Sequence, residues 1–209
     1  MNLKKILVGK KIFIGILIFI PIVIILLVIL FRNAVMPSDE SIVNNLKNMK
    51  FYSSRVNYIF KNSKSQFEED TIQYYSFDKG SRIEFQDGNG RVKVYNGEEI
   101  KVEESREEEY ILNKSIDTIY PLAFMGNVLS NSENIQIKEV KNEWSDSVYL
   151  KVDITYNVKN KYLNKAEFFV DKNKGVPVLL RILDDGNKER IIITYRDFKK
   201  EKNLSDDLF

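Results

Sequence analysis

The chain of 209 residues contains no cysteine and no histidine. Without cysteine there is no disulfide, no thiol nucleophile and no lipid attached through a cysteine, so any membrane address must come from the polypeptide itself. Without histidine there is no imidazole base, no Ser-His-Asp triad and no ordinary zinc site, because zinc is held mainly by cysteine and histidine. Carboxylates, lysines, tyrosines and hydroxyls are what remain for chemistry. The composition therefore favours a binding protein over an enzyme and implies no cofactor.

Charge is missing from one long stretch. Residues 12–31 read IFIGILIFIPIVIILLVILF, and a helix of that length is about 30 Å long, the thickness of a bilayer's hydrocarbon core. Pro21 and Gly15 are tolerated there, since neighbouring backbone groups still pair within the helix. A secretory signal peptide has a shorter apolar run and ends in a small-x-small site, which the residues Asn33, Ala34, Val35, Met36 and Pro37 do not supply. A retained transmembrane helix is expected.

Lys4, Lys5, Lys10 and Lys11 precede this span and only Arg32 follows it directly. The positive-inside rule then places residues 1–11 in the cytoplasm and the rest outside, as a single-pass protein of the cell membrane. Residues 32–37 read as a linker, 38–203 as one extracytoplasmic domain, and 204–209 as a tail of one turn or disorder. Those five residues are the only charges up to position 32, so the remainder holds 27 of the 32 basic and all 30 acidic residues, a net charge of −3. The basic excess belongs to the anchor, and no nucleic-acid footprint is left.

After Pro37, Ser38 is a plausible N-cap, Asp39 and Glu40 suit a first helical turn, and Ile42, Val43, Leu46 and Met49 recur at helical spacing. From Phe51 the period becomes two. Tyr52, Val56, Tyr58 and Phe60, then Ile72 with Tyr74, Ile83 with Phe85, Val92 with Val94, and Ile100 with Val102 alternate with polar residues. Asp78 to Gly80, Asp87 to Gly90 and Asn96-Gly97 mark turns, the last expected as type I′. Later, Val148 to Tyr156, Tyr162 to Val170, Val176 to Ile182 and Ile191 to Tyr195 alternate again, with turns at Asp171 to Gly175 and Asp184 to Asn187. This is an antiparallel meander with an apolar face that needs a cover.

The cover is expected from Ser115 to Asn131. A turn to Tyr120 and a helix from Pro121 would present Tyr120, Leu122, Phe124, Met125, Val128 and Leu129 almost all round, as a buried helix does. It would plug the hollow of a curved sheet, line a groove for an acyl chain, or be displaced by a partner. The fold class expected is mainly β, α+β: a strongly curved antiparallel sheet forming an unclosed barrel, plugged by one or two helices. A second candidate site is acidic. Glu103, Glu104, Glu107, Glu108 and Glu109, with Glu98 and Glu99 nearby, crowd one hairpin relieved by Lys101 and Arg106. Such charge protects a sheet edge from aggregation, and it would also dock a basic partner. Asp153 is expected to pair with Lys151 or Lys165 across strands, and Asp184-Asp185-Gly186-Asn187 reads as a turn rather than a calcium loop.

The run Tyr120-Pro121-Leu122-Ala123-Phe124-Met125-Gly126-Asn127, the run Asn160 to Ala166, then Gly175-Val176-Pro177 and the closing Tyr195-Arg196-Asp197-Phe198 resemble the clostridial spore-germination lipoprotein family of GerS. The likeness spans about residues 50 to 209. That family is similar in fold to the lipoprotein carriers LolA and LolB. The resemblance implies a non-catalytic partner of an N-acetylmuramoyl-L-alanine amidase that prepares spore cortex for lysis, located outside the cytoplasm and including the forespore intermembrane space. The chain departs from the family in having no cysteine to lipidate. Three functions follow: a membrane-anchored partner or activator of a cell-wall amidase, a carrier of an acyl lipid or lipoprotein, and an enzyme working through carboxylates such as Asp153, Asp171, Asp184 and Asp185.

Overall fold

The computed structural model describes residues 19–29, 37–62, 64–104, 108–130, 136–141, 147–156 and 163–209. The chain divides into two units, residues 1–38 and 39–209. In the first, residues 19–29 form an exposed, uncharged helix, α1. Among the described residues no helix is long and apolar enough to cross a membrane. The rest of the expected span, residues 12–18, 30 and 31, lies outside the described residues, as do residues 1–11 and 32–36.

The second unit is mainly β. After helix α2 (Asp39–Lys47), eleven strands form one antiparallel sheet: β1 (Phe51–Lys61), β2 (Gln66–Ser76), β3 (Gly80–Phe85), β4 (Val92–Asn96), β5 (Glu99–Glu104), β6 (Glu108–Asn113), β7 (Gln136–Lys141), β8 (Val148–Thr155), β9 (Lys165–Asp171), β10 (Val176–Leu183) and β11 (Glu189–Lys200). The spatial order is β6-β5-β4-β3-β2-β1-β11-β10-β9-β8-β7. Each hairpin lies beside the next, and β1 pairs with β11 at the centre, joining two meanders. The sheet is unclosed, with β6 and β7 at its edges.

Laid flat, eleven strands about 4.8 Å apart would be some 48 Å wide, more than α2 and the segment between β6 and β7 could cover. Yet Ile100 and Val102 near one edge, and Leu150 and Val152 near the other, show no exposure. The sheet therefore bends over its own apolar face. That face is filled by alternating residues of both meanders, by Ile42, Val43 and Leu46 of α2, and by Phe124, Met125, Val128 and Leu129 of the plug, in one contiguous core.

The plug is not the continuous helix expected. It consists of a 3₁₀ turn (Lys114–Ile116), a second 3₁₀ turn (Tyr120–Ala123) and one short helix, α3 (Met125–Val128). Pro121 opens the second turn, and Phe124 adopts extended geometry, φ −78° and ψ 134°, which ends that turn and caps α3. Three other expectations are corrected by register. Val56 pairs with Thr71 and Arg55 with Ile72, so Thr71 and Gln73 face the core while Ile72 and Tyr74 face outward. A bulge between Pro177 and Leu179 shifts β10, so Pro177, Leu180 and Ile182 share the inner phase and Val176 and Val178 do not. Asn96 pairs with Glu99, making Gly97 and Glu98 the loop; Gly97 has φ 59° and Glu98 does not share a positive φ, so the turn is not type I′. Strand β7 was not anticipated, because its residues, largely exposed, carry no clear alternation.

Residues 204–209 return to the sheet as one 3₁₀ turn (Asp206–Leu208). Leu204 is buried, Lys79 binds the Leu204 carbonyl and the Asp206 carboxylate, and Arg82 donates to the Leu208 carbonyl at 3.1 Å. Gly80 permits the β2–β3 turn: at φ 105° a Cβ there would stand 2.1 Å from the Tyr95 carbonyl oxygen.

Candidate functional site

Three tyrosines on the inner face of the central strand pair hold the plug by its backbone. Tyr58 on β1 donates to the Tyr120 carbonyl at 3.1 Å, Tyr195 on β11 donates to the Ala123 carbonyl at 2.7 Å, and Tyr52 on β1 accepts the Met125 N–H at 2.9 Å. Gln73 in turn donates to the Tyr58 hydroxyl at 2.6 Å. The irregular turns at 120–125 leave peptide groups without helical partners, and a buried peptide group must be paired. Tyrosine suits the task, since its ring adds to the core while its hydroxyl satisfies the backbone. Burial drives the Tyr52, Tyr58 and Tyr195 phenols well above their ordinary pKa, so all three stay neutral.

A polar clamp lies where the plug enters. Tyr120 donates to Glu69, whose other oxygen accepts from Arg91 at 2.9 Å, and the Arg91 guanidinium stacks 3.8 Å above the Phe85 ring. Asp117 accepts from Lys93 at 2.6 Å and from Tyr95 at 2.8 Å. Burial, reinforced by Asp117, raises the Tyr95 phenol; burial, reinforced by Glu69, raises that of Tyr120. Each ionised group has an opposite partner, as a half-buried charge requires.

The expected site residues are thus placed unevenly. Phe124, Met125, Val128 and Leu129 are buried in the core with 0–1% exposure, while Tyr120 and Leu122 are half-buried at the rim. The buried four share one contiguous core with Phe168, Leu150, Ile83 and Ile100, so they are packing rather than the lining of a groove. The acidic residues do fall on one edge hairpin: Glu103 lies opposite Glu109 and Glu104 opposite Glu108 in the β5–β6 pair. Lys101 bridges Glu103 at 3.3 Å and Glu109 at 3.0 Å, and Tyr110 donates to Glu104 at 3.1 Å. Glu107 lies outside the described residues, as do Arg106, Trp144 and residues 160–162.

The carboxylates considered for catalysis are tied into the scaffold. Asp153 pairs with Lys151 at 3.1 Å and Lys138 at 3.5 Å, whereas Lys165 turns to Asp185 and Asn187. Asp171 accepts the Asn173 and Lys174 N–H groups, and Asp184 accepts the Lys188 N–H at 2.9 Å and Arg190 at 2.6 Å, closing their two hairpins. The backbone N–H of Lys188, together with the Arg190 guanidinium, holds the Asp184 carboxyl below the usual carboxylate range. Among the described residues no three acidic side chains converge to hold a metal ion. The tyrosine pins and the clamp were missed in the sequence. Their one signal was Glu69, Thr71 and Gln73, polar residues in phase with the core on β2.

The chain's fold is shared by an uncharacterized conserved protein from Thermus thermophilus, with TM-score 0.53, 14% identity, and coverage of 82% of this chain and 93% of that one. It is also similar to a chain in the structure of the CwlD amidase from Clostridioides difficile in complex with the GerS lipoprotein, with TM-score 0.50, 21% identity, and coverage of 79% and 97%. The overlap with the LolA superfamily protein NE2245 from Nitrosomonas europaea is looser, with TM-score 0.44, 11% identity, and coverage of 83% and 97%. In sequence the chain matches none of the curated proteins. The family model described as sporulation protein YdcC-like matches residues 10–209. Nearly the whole chain is spanned by that match, and the chain belongs to the YdcC-like family of sporulation proteins.

Proposed function

We propose that this chain is a membrane-anchored, non-catalytic extracytoplasmic protein that binds and activates a cell-wall amidase of the sporulating cell, the spore cortex being the wall concerned. Residues 12–31 are the anchor and the domain after them faces the wall. Membership of a sporulation family supports this reading, together with the fold shared with a structure in which an amidase is bound to GerS. The observation that carries it is the pinned plug. With the inner face filled by the chain's own residues and the plug held at Tyr120, Ala123 and Met125 by buried tyrosines, what is left for recognition is the outside of the sheet and its edges.

The acidic β5–β6 hairpin is the docking surface in this reading. It carries Glu103, Glu104, Glu108 and Glu109 beside the exposed Ile111, and a basic face on the amidase would complement it. Crosslinking the full-length protein in sporulating cells and identifying what it captures tests the reading. Recovery of an N-acetylmuramoyl-L-alanine amidase, reduced when Glu103 and Glu109 are changed to Gln and when salt is raised, is expected. Capture of no peptidoglycan hydrolase overturns it, and native mass spectrometry showing a bound acyl chain would favour the carrier instead.

A further inference from the structure

The outer face of the sheet carries a feature separate from the acidic hairpin proposed above for amidase docking. Where β1 crosses β11, Arg55 stands directly opposite Arg196. Two like charges facing each other on one sheet surface destabilise the pair unless something neutralises them. Little in the protein does. The Arg55 Nε lies 3.6 Å from the Asp197 carboxylate with both side chains more than half exposed, which leaves that contact weak. Among the described residues no hydrogen bond or ion pair engages the Arg196 side chain.

The backbone is shaped to bring these groups together. Successive strand residues point to opposite faces, yet Arg196 and Asp197 line the same groove. The reason is a bulge: pairing shifts between Ser53 and Arg55, and Asp197 sits at φ 49°, a left-handed conformation uncommon outside glycine. Ser54 ties the bulge down by donating to the Arg196 carbonyl at 3.0 Å. The groove has a volume of about 350 Å³, and Asn57, Asp70 and Gln86 also line it. Asn57, opposite Asp70 on the neighbouring strand, donates to the Asp70 carboxylate at 2.9 Å and to Glu68 at 2.7 Å, which holds the Asp70 carboxylate in place.

We propose that this groove binds a small bipolar ligand, one that carries a carboxylate and an ammonium group as amino acids and short peptides do. The carboxylate lies between the forked donors of Arg55 and Arg196, a planar match that a lysine would not offer. The ammonium faces Asp70, and Gln86, whose backbone N–H bonds the Asp70 carbonyl at 2.8 Å, lines the same groove beside a peptide group. The volume is of the size that takes such a molecule. Two sources share this chemistry, the stem peptides of the cell wall and free amino acids, and the wall source rests on the extracytoplasmic placement proposed above.

The test is calorimetric titration of the full chain in detergent micelles. The probes are the tripeptide L-Ala-γ-D-Glu-meso-diaminopimelate, L-lysine, and acetate and ethylamine separately as single-charge controls. Saturable binding of the tripeptide or lysine is expected, with each control at least about tenfold weaker because half of the paired contacts are lost. Arg196→Met and Asp70→Asn should each weaken binding by about tenfold or more, while capture of the amidase is unchanged. A tighter tripeptide assigns the site to the wall; equal or tighter lysine assigns it to free amino acids. Absence of saturation by both up to about 10 mM, acetate binding as well as the tripeptide, or binding unchanged in both variants overturns the proposal.

Discussion

On the inner face of the sheet, Tyr58 and Tyr195 donate their hydroxyls to the carbonyls of Tyr120 and Ala123. On the outer face, Arg55 and Arg196 stand side by side with a single long contact to Asp197. The same pair of central strands, β1 and β11, supplies both arrangements. Inside, the hydroxyls of the three tyrosines that hold the plug each have a fixed partner, because an unpaired one would cost more than it could return in a dry core. Outside, water tolerates unpaired charge, so groups can be left ready for something else. The inner face therefore governs stability, and in the proposed function the outer face and edges are what recognition would use.

The largest test of that division is Phe168→Ala. Phe168 is fully buried and meets Tyr195 edge-on at 6.3 Å, so truncation should cost roughly 3–5 kcal/mol in urea unfolding. If it costs under about 1 kcal/mol, the core about Tyr195 is looser than its burial implies. Next, Tyr195→Phe keeps the ring and removes only the bond to the Ala123 carbonyl. It should destabilise by about 1–3 kcal/mol, because a buried acceptor is left without a donor. A neutral outcome would show that the plug backbone finds another partner.

A pH titration sharpens the same point. The folded pKa of Tyr58 and Tyr195 is raised by burial above the ordinary 10.0, so their stabilising effect is complete below that value and is lost as pH climbs above it. Tyrosinate absorption from these residues should therefore appear together with loss of far-ultraviolet circular dichroism. Ionisation in a still-folded protein would contradict the burial. The smallest effect is expected at the edge. Glu109 is exposed and shares Lys101 with Glu103, so Glu109→Gln should change stability by no more than about 0.5 kcal/mol. Its consequence should be seen in partner capture at low salt, where surface charge acts at its longest range.

Much of the fold was legible because alternation of period two is a direct record of which side chains meet the core. Leu150, Val152 and Ile154, and Ile191, Ile193 and Tyr195, kept the phase expected of them. Where a polar residue took the inner phase, the signal reversed: Thr71 and Gln73 hid the direction of β2, since a buried amide is satisfied only by a partner on another strand, here Tyr58. The bulges at Pro177 and at Asp197 were illegible for a related reason, because a single extra residue changes the phase without changing composition. The plug was recognised by its apolar character but not by its form, which Phe124 decides through its extended backbone.

By itself the sequence determined the chemistry that is absent, the long uncharged run, the antiparallel meander and the acidic hairpin, since each is written in residue type or local spacing. Tertiary structure alone decided that three distant tyrosines would hold one plug, that Glu69 and Asp117 would each find cations, and that Arg55 would stand beside Arg196 in one groove. Such contacts join residues far apart in the chain, 142 positions in the case of Ser54 and Arg196 at the bulge. Strand register and sheet curvature set these meetings, and neither is encoded in any one local window.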